Sequence, residues 1–144
     1  MFLGEYQHSM DDKGRLVLPR KFRDELGKGC VVTPGQENCL YVFSAKQWEE
    51  EVARVGRLPR TNRRARNYAR SFFAGASDQM LDRQGRVQLT EKQRSFAGLH
   101  KDVTVVGVAE RVELWAPEAW EAVAAEADLD FAQIEEELGS GEGI

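Results

Sequence analysis

Asp11-Asp12-Lys13-Gly14-Arg15-Leu16-Val17-Leu18 returns later in the chain as Asp82-Arg83-Gln84-Gly85-Arg86-Val87-Gln88-Leu89. Both stretches read Asp-x-x-Gly-Arg-apolar-x-Leu, at an offset of 71 residues. Further landmarks recur in the same order: Leu40-Tyr41-Val42-Phe43 matches Val112-Glu113-Leu114-Trp115, and Trp48-Glu49 matches Trp120-Glu121, now at an offset of 72. One inserted loop residue accounts for the change. A lone pentapeptide recurs by chance; an ordered series of landmarks marks an internal duplication. Each half holds about 45 residues, near the lower limit for a self-sufficient core. The halves are therefore expected to bury their apolar faces against one another as one intertwined, pseudo-symmetric body.

Periodicity and punctuation give both halves one plan. Glu5–Met10 and Arg15–Leu18 read as short strands joined by the DDKG turn, where the Asp carboxylate can accept backbone N–H groups and Gly14 tolerates positive φ. Pro19 ends the strand and opens a helical segment over Arg20–Leu26 that stops at Gly27. Gly29–Thr33 and Leu40–Phe43 are expected to pair across Pro34–Asn38, and Ser44 to cap the helix carrying Gln47, Trp48 and Val52. In the second half, Gln79–Leu81 and Arg86–Leu89 flank the DRQG turn with its Gly85, and Thr90 caps Glu91–Phe96. Asp102–Val108 and Arg111–Trp115 make the second hairpin, and Pro117 starts the helix with Trp120 and Val123. Asp130–Leu138 reads as a further acidic helix with Phe131, Ile134 and Leu138 on one face, and Gly139–Ile144 as a fraying end. Between the halves, Arg54–Ala76 carries seven arginines, while Ala65, Tyr68, Ala69, Phe72 and Phe73 fall at helical spacings. The expected organisation is a first module over 5–47, an arginine-rich helical connector over 48–75, a second module over 76–119, and an acidic C-terminal helix and tail over 120–144.

Composition narrows the function classes. The 144 residues are 42% hydrophobic and 31% charged, the balance of a folded globular chain. No apolar run approaches the ~20 residues of a membrane span, and MFLGEYQHSM lacks the features of a signal peptide, so a cytoplasmic protein is expected. Cys30 and Cys39 are expected to be reduced and packed. Together with His8 and His100 they offer no ligand pair at zinc-site spacing, so neither metal nor cofactor is expected. Nucleophile elbow, Gly-rich phosphate loop and paired-histidine motif are all missing, which argues against an enzyme. Trp48, Trp115 and Trp120 have hydrophobic neighbours and read as core rather than as a base-stacking platform.

Net charge is −4, yet its distribution is uneven: residues 110–144 carry −10 and residues 1–109 carry +6. Binding depends on local potential, so an acidic end does not exclude an anionic partner for the basic body. The sharpest candidates are the two turns. Asp11 with Gly14, and Asp82 with Gly85, form the turns; Arg15 and Arg86 leave them at the start of a strand. Guanidinium is planar and permanently charged, suited to bidentate contact with phosphate or with guanine in a major groove. Lys13 and Arg83 flank the turns and suit phosphate contacts, which position without reading sequence. The plainer reading is that Asp11–Arg15 and Asp82–Arg86 are local salt bridges. For the arginine-rich connector three roles stay open: DNA contact, subunit contact and solvation.

On these residues the chain closely resembles the MraZ family, built from two SpoVT/AbrB-type modules. The resemblance rests on the duplicated Asp-x-x-x-Arg, Asp11–Arg15 and Asp82–Arg86, and on DDKGRLVLPRKFRDEL. It runs from the N-terminal Met-Phe-x-Gly to the acidic C-terminal helix. It implies an α+β fold of two pseudo-symmetric AbrB-like swapped-hairpin β-barrel modules with peripheral helices. It also implies a nucleoid-associated transcriptional regulator of the division and cell-wall gene cluster, binding short G-rich direct repeats upstream of its own operon as a ring-shaped homo-oligomer, with Arg15 and Arg86 on the double-stranded DNA. Two other classes compete: an oligomeric scaffold, and an enzyme holding an anionic small molecule between paired arginines.

Overall fold

The computed structural model describes residues 1–139, with side chains through Ile134. The expected face position of Leu138 and most of the Gly139–Ile144 end lie outside the described side chains and residues. The strands are β1 (Phe2–Ser9), β2 (Arg15–Val17), β3 (Cys30–Pro34), β4 (Leu40–Ser44), β5 (Ser77–Gln79), β6 (Arg86–Gln88), β7 (Asp102–Ala109) and β8 (Arg111–Trp115). The helices are α1 (Arg23–Leu26), α2 (Ala45–Gly56), α3 (Arg63–Ala74), α4 (Glu91–Ala97) and α5 (Pro117–Gly139).

The strand order shows how two small halves make one body. Six strands form an antiparallel sheet in the order β1-β7-β8-β4-β3-β5, and β2 pairs with β6 in a separate two-stranded ribbon. Exchanging the halves turns β1-β7-β8-β4 into β5-β3-β4-β8, so the order reads the same from both ends. Each half lends its first strand to the other: β1 pairs with β7, from Phe2 opposite Ala109 to Ser9 opposite Asp102, and β5 pairs with β3. The centre is also shared, with Leu40 opposite Leu114 and Val42 opposite Val112. One core cluster draws Leu16, Leu18, Val32 and Val42 from the first half and Val87, Leu89, Val105 and Leu114 from the second, all fully buried. The ladders do not close into the barrel that the resemblance implies; β1 and β5 stand at the edges of an open sheet.

Local chemistry explains most boundaries. The Ser44 hydroxyl accepts from the Gln47 N–H at the start of α2, and Thr90 with Gln93 forms a reciprocal capping box at α4. β1 starts at Phe2 rather than Glu5, because β7 supplies partners along its whole length and Phe2 packs edge-on against Phe22 at 5.2 Å. β5 lies two residues before the expected Gln79–Leu81. The Gln79 side chain takes over at its end, donating to the Gln88 carbonyl at 3.0 Å and accepting from the Gln88 N–H at 2.7 Å. That leaves Met80 exposed.

Two helical expectations change. Arg54–Ala76 is not one continuous helix: α2 ends at Gly56, Pro59 sits in the following turn, and Asn62 caps α3 by accepting from Ala65 N–H at 3.1 Å. Conversely, Pro117 and Asp130 belong to a single 23-residue helix, since the alanine-rich stretch 122–127 has high helix propensity and holds no breaker. Trp115 is buried, and Trp48 and Trp120 are half-buried against aromatic neighbours, Phe72 at 5.5 Å and Trp115 at 5.7 Å. No helix among the described residues is long and apolar enough to cross a membrane.

Candidate functional site

The β2–β6 ribbon brings the two turns together. Leu16 stands opposite Val87 at its centre, and both are fully buried. Side chains alternate across a strand, so Arg15, Val17, Arg86 and Gln88 share the opposite, outward face. Arg15 and Arg86 lie diagonally about the Leu16–Val87 pair, as the duplication requires. Reciprocal backbone bonds tie each turn to the other half: Leu18 N–H donates to Gly85 O at 3.1 Å and Leu89 N–H to Gly14 O at 2.9 Å.

Each turn is wound around its aspartate. Asp11 Oδ1 accepts the N–H groups of Lys13 at 3.0 Å and Arg15 at 2.9 Å, while Oδ2 takes Arg15 Nε at 2.6 Å. Asp82 Oδ1 accepts the N–H groups of Gln84 and Arg86, each at 2.9 Å, while Oδ2 takes Arg86 Nε at 2.6 Å. Gly14 and Gly85 adopt φ of +79° and +75°, which a side chain disfavours. The backbone N–H of Arg15 is the main cause holding the Asp11 carboxyl below its usual range, opposed by desolvation and aided by the guanidinium; Arg86 does the same for Asp82.

The local salt bridges considered from sequence are thus formed, and they leave donors over. An arginine has five N–H donors, and each Asp occupies one through Nε. Among the described residues, the Arg15 terminal nitrogens donate to no protein acceptor. Arg86 Nη1 leans toward Asp11 Oδ2 at 3.6 Å, so its side chain is 22% exposed against 35% for Arg15. Lys13 and Arg83 project into solvent beside the ribbon.

A second arginine pair was not singled out from sequence. Arg23 donates through Nε and Nη2 to the Leu18 carbonyl at 3.1 and 3.0 Å, and its side chain lies across Gly85 of the other turn. Arg94 lies across Gly14 in the same way. Arg20-Lys21-Phe22-Arg23 and Glu91-Lys92-Gln93-Arg94 stand at the same offset of 71 that aligns the turns, so extending that alignment by a few residues would have found them.

Other candidates form no site. Cys30 and Cys39 are buried free thiols, pushed by desolvation up to about 11 and about 12 respectively. No group of His, Cys, Asp and Glu among the described residues could hold a metal ion. His8 is lowered by burial and by nearby Arg23.

Comparison with known proteins finds one family model matched twice in the chain. The family model described as "MraZ protein, putative antitoxin-like" matches twice, over residues 1–71 and 72–139. Relatives named transcriptional regulator MraZ include one from Micrococcus luteus, 46% identical over 141 residues, covering 98% of this chain and 99% of the relative. One from Salinispora arenicola is 49% identical over 136 residues, covering 94% and 96%. One from Lactobacillus gasseri is 42% identical over 138 residues, covering 96% of each.

Proposed function

The chain belongs to the MraZ family, and from that premise we propose that it is a DNA-binding transcriptional regulator that reads duplex DNA with the outer face of the β2–β6 ribbon. The observation that carries this reading is the placing of Arg15 and Arg86 on one face of a two-stranded ribbon, the width of element a major groove admits. Each Asp–Arg couple is close to neutral as a pair. Its contribution is therefore directional: the carboxylate fixes the guanidinium plane through Nε and leaves the terminal N–H groups for a base edge or phosphate. Net attraction to the DNA backbone falls to Lys13 and Arg83, which form no ion pair among the described residues and position without reading sequence. Arg23 and Arg94 brace the turn glycines and add positive charge beside the ribbon.

Finer features follow the family resemblance and belong to the same proposal. The targets are short direct repeats upstream of the protein's own operon, within the division and cell-wall cluster, and the protein is cytoplasmic and nucleoid-associated. The modules are kin to swapped-hairpin AbrB barrels, which the exchange of β1 and β5 between halves favours. The working form is a homo-oligomeric ring. Two guanidinium groups per chain give modest affinity, and repeated subunits on repeated boxes raise it through effective concentration. A regulator is preferred to an enzyme because the paired arginines lie on an open ribbon face rather than in a pocket with an acid–base pair.

Fluorescence anisotropy with the upstream region of the operon tests the proposal. Arg15→Ala/Arg86→Ala should weaken specific binding by about 100-fold or more, since each bidentate contact contributes about 1–3 kcal/mol. The oligomer should stay intact. Lys13→Ala and Arg83→Ala should each lower the salt slope by about one while leaving base preference unchanged. Unchanged affinity in the double arginine variant refutes the ribbon assignment.

A further inference from the structure

The halves part in architecture after the second strand of each hairpin. In the first half α2 is followed by α3, which folds back so that Phe72 and Phe73 lie 5.5 and 5.8 Å from Trp48. In the second half the matching helix, α5, carries Trp120 where α2 carries Trp48, and then runs straight on. Trp120 packs on Trp115 of its own sheet, and its indole N–H donates to Glu5 at 2.7 Å. The stripe holding Trp120 continues at spacings of four and three through Ala124, Ala127, Phe131 and Ile134, the pattern of a helix–helix seam. Phe131 is 70% exposed and Ile134 40% exposed, and among the described residues nothing covers them. Asp128 and Asp130 border the seam on either side. From residue 125 to 134 the helix reaches about 15 Å beyond its last packed turn.

A complementary surface lies where α2 and α3 pack on β3 and β4, away from β7, against which α5 packs. Between α2 and α3 lies a groove of about 330 Å³ with Leu58, Ala65 and Phe73 among its lining and Arg60, Arg66 and Arg70 around it. Arg66 donates to the Arg60 carbonyl and Arg70 to the Asn67 side chain, so neither meets a carboxylate among the described residues. We propose that the distal seam of α5 is an arm that inserts Phe131 and Ile134 into the α2–α3 groove of a second copy of this chain, with Asp128 and Asp130 facing Arg66 and Arg70. The two surfaces differ, so the contact is head-to-tail; such contacts propagate until they close into a ring or continue as a filament. This assignment rests on the oligomeric part of the proposed function and names the surfaces that make it.

Sedimentation velocity on the full-length chain tests it. An arm variant, Phe131→Glu/Ile134→Glu, and a groove variant, Arg66→Glu/Arg70→Glu, should each sediment as monomers where the natural chain assembles. Mixed together, they retain one intact arm and one intact groove between them. They should form a heterodimer of about twice the 16.3 kDa chain mass and nothing larger. That heterodimer also shows both variants to be folded. A natural chain that is monomeric throughout refutes self-association itself. Assembly with an undiminished groove variant, as in arm-to-arm pairing, refutes only the groove. Failure of the mixed variants to associate overturns the arm–groove contact.

Discussion

The first half ends in a helix folded back and covered, the second in a helix that runs on uncovered, whereas the two turns share one hydrogen-bonding scheme. Symmetry is kept where Arg15 and Arg86 share a ribbon and lost where α2 and α5 leave the sheet. The cause of the loss is local. Pro59 and the Asn62 cap turn the chain back after α2, whereas the alanine-rich run from Ala122 lets α5 continue. A ribbon that meets a duplex benefits from two-fold placement of its donors. A chain that joins its neighbours head to tail needs two unlike ends. On the proposed function, the difference would separate two roles, a symmetric ribbon for DNA and two unlike ends for assembly.

The largest effect should appear on the covered side. Phe72 is buried among Phe43, Trp48 and Tyr68, so Phe72→Ala should cost about 3 kcal/mol of unfolding free energy. Ile134→Ala, on the uncovered helix, should stay within about 0.5 kcal/mol when urea unfolding is followed at dilutions where the chain is monomeric. An equal loss in both would mean that α5 is covered within its own chain, and the contrast would collapse.

The turn glycines should give a smaller and unequal effect. Left-handed φ at either position costs a side chain about 1–2 kcal/mol. A methyl group on Gly14 would also meet the Leu89 carbonyl at 2.9 Å, a backbone atom that cannot step aside. On Gly85 it would meet the Arg23 side chain, which can swing away. Gly14→Ala should therefore be the less stable protein by urea midpoint, and Gly85→Ala should mainly disturb Arg23 and its bond to Leu18. Equal losses would show that φ alone sets the cost.

Much of this was legible in the sequence because duplication makes each reading check the other. The Asp-x-x-Gly-Arg turns, the Ser44 and Thr90 caps and the two hairpins are fixed by residues within about six positions of one another. The pairing of β1 with β7 was legible only as a need for mutual burial, since partners about 100 residues apart leave no local mark. The β5 boundary was misplaced because a glutamine side chain, rather than a hydrophobic pattern, ends that strand. From sequence the site reads as two Asp–Gly turns with Arg15 and Arg86 leaving them and Lys13 and Arg83 beside them. The alignment that pairs the turns also pairs Arg23 with Arg94, but that each braces the glycine of the other half depends on how the β2–β6 ribbon crosses the halves, which leaves no local mark in the sequence. The arginine-rich segment reads from sequence as a helical connector without internal boundaries; Pro59 and Asn62 are the residues that divide it into α2 and α3.

The smallest effect concerns acid, and it asks whether the two turns are equivalent. Asp11 and Asp82 are both held below their ordinary value of 3.8, chiefly by the backbone N–H of the arginine four residues on. A carboxyl with a depressed folded-state pKa contributes stability that is complete above its unfolded value and disappears as pH falls through the folded one. Near neutral pH, Asp11→Asn and Asp82→Asn should each be less stable than the natural chain. The gap should shrink as pH drops below about 3.8, because the natural carboxyls then protonate as well. The turns should not respond alike. Asp11 is also approached by Arg86 Nη1 at 3.6 Å, and no matching approach joins Arg15 to Asp82 among the described residues. Asp11→Asn should thus loosen both guanidinium groups and weaken DNA binding more than Asp82→Asn does. If the two variants bind equally at neutral pH, the cross-turn contact has no hold on the arginines, and the site is as symmetric as its sequence.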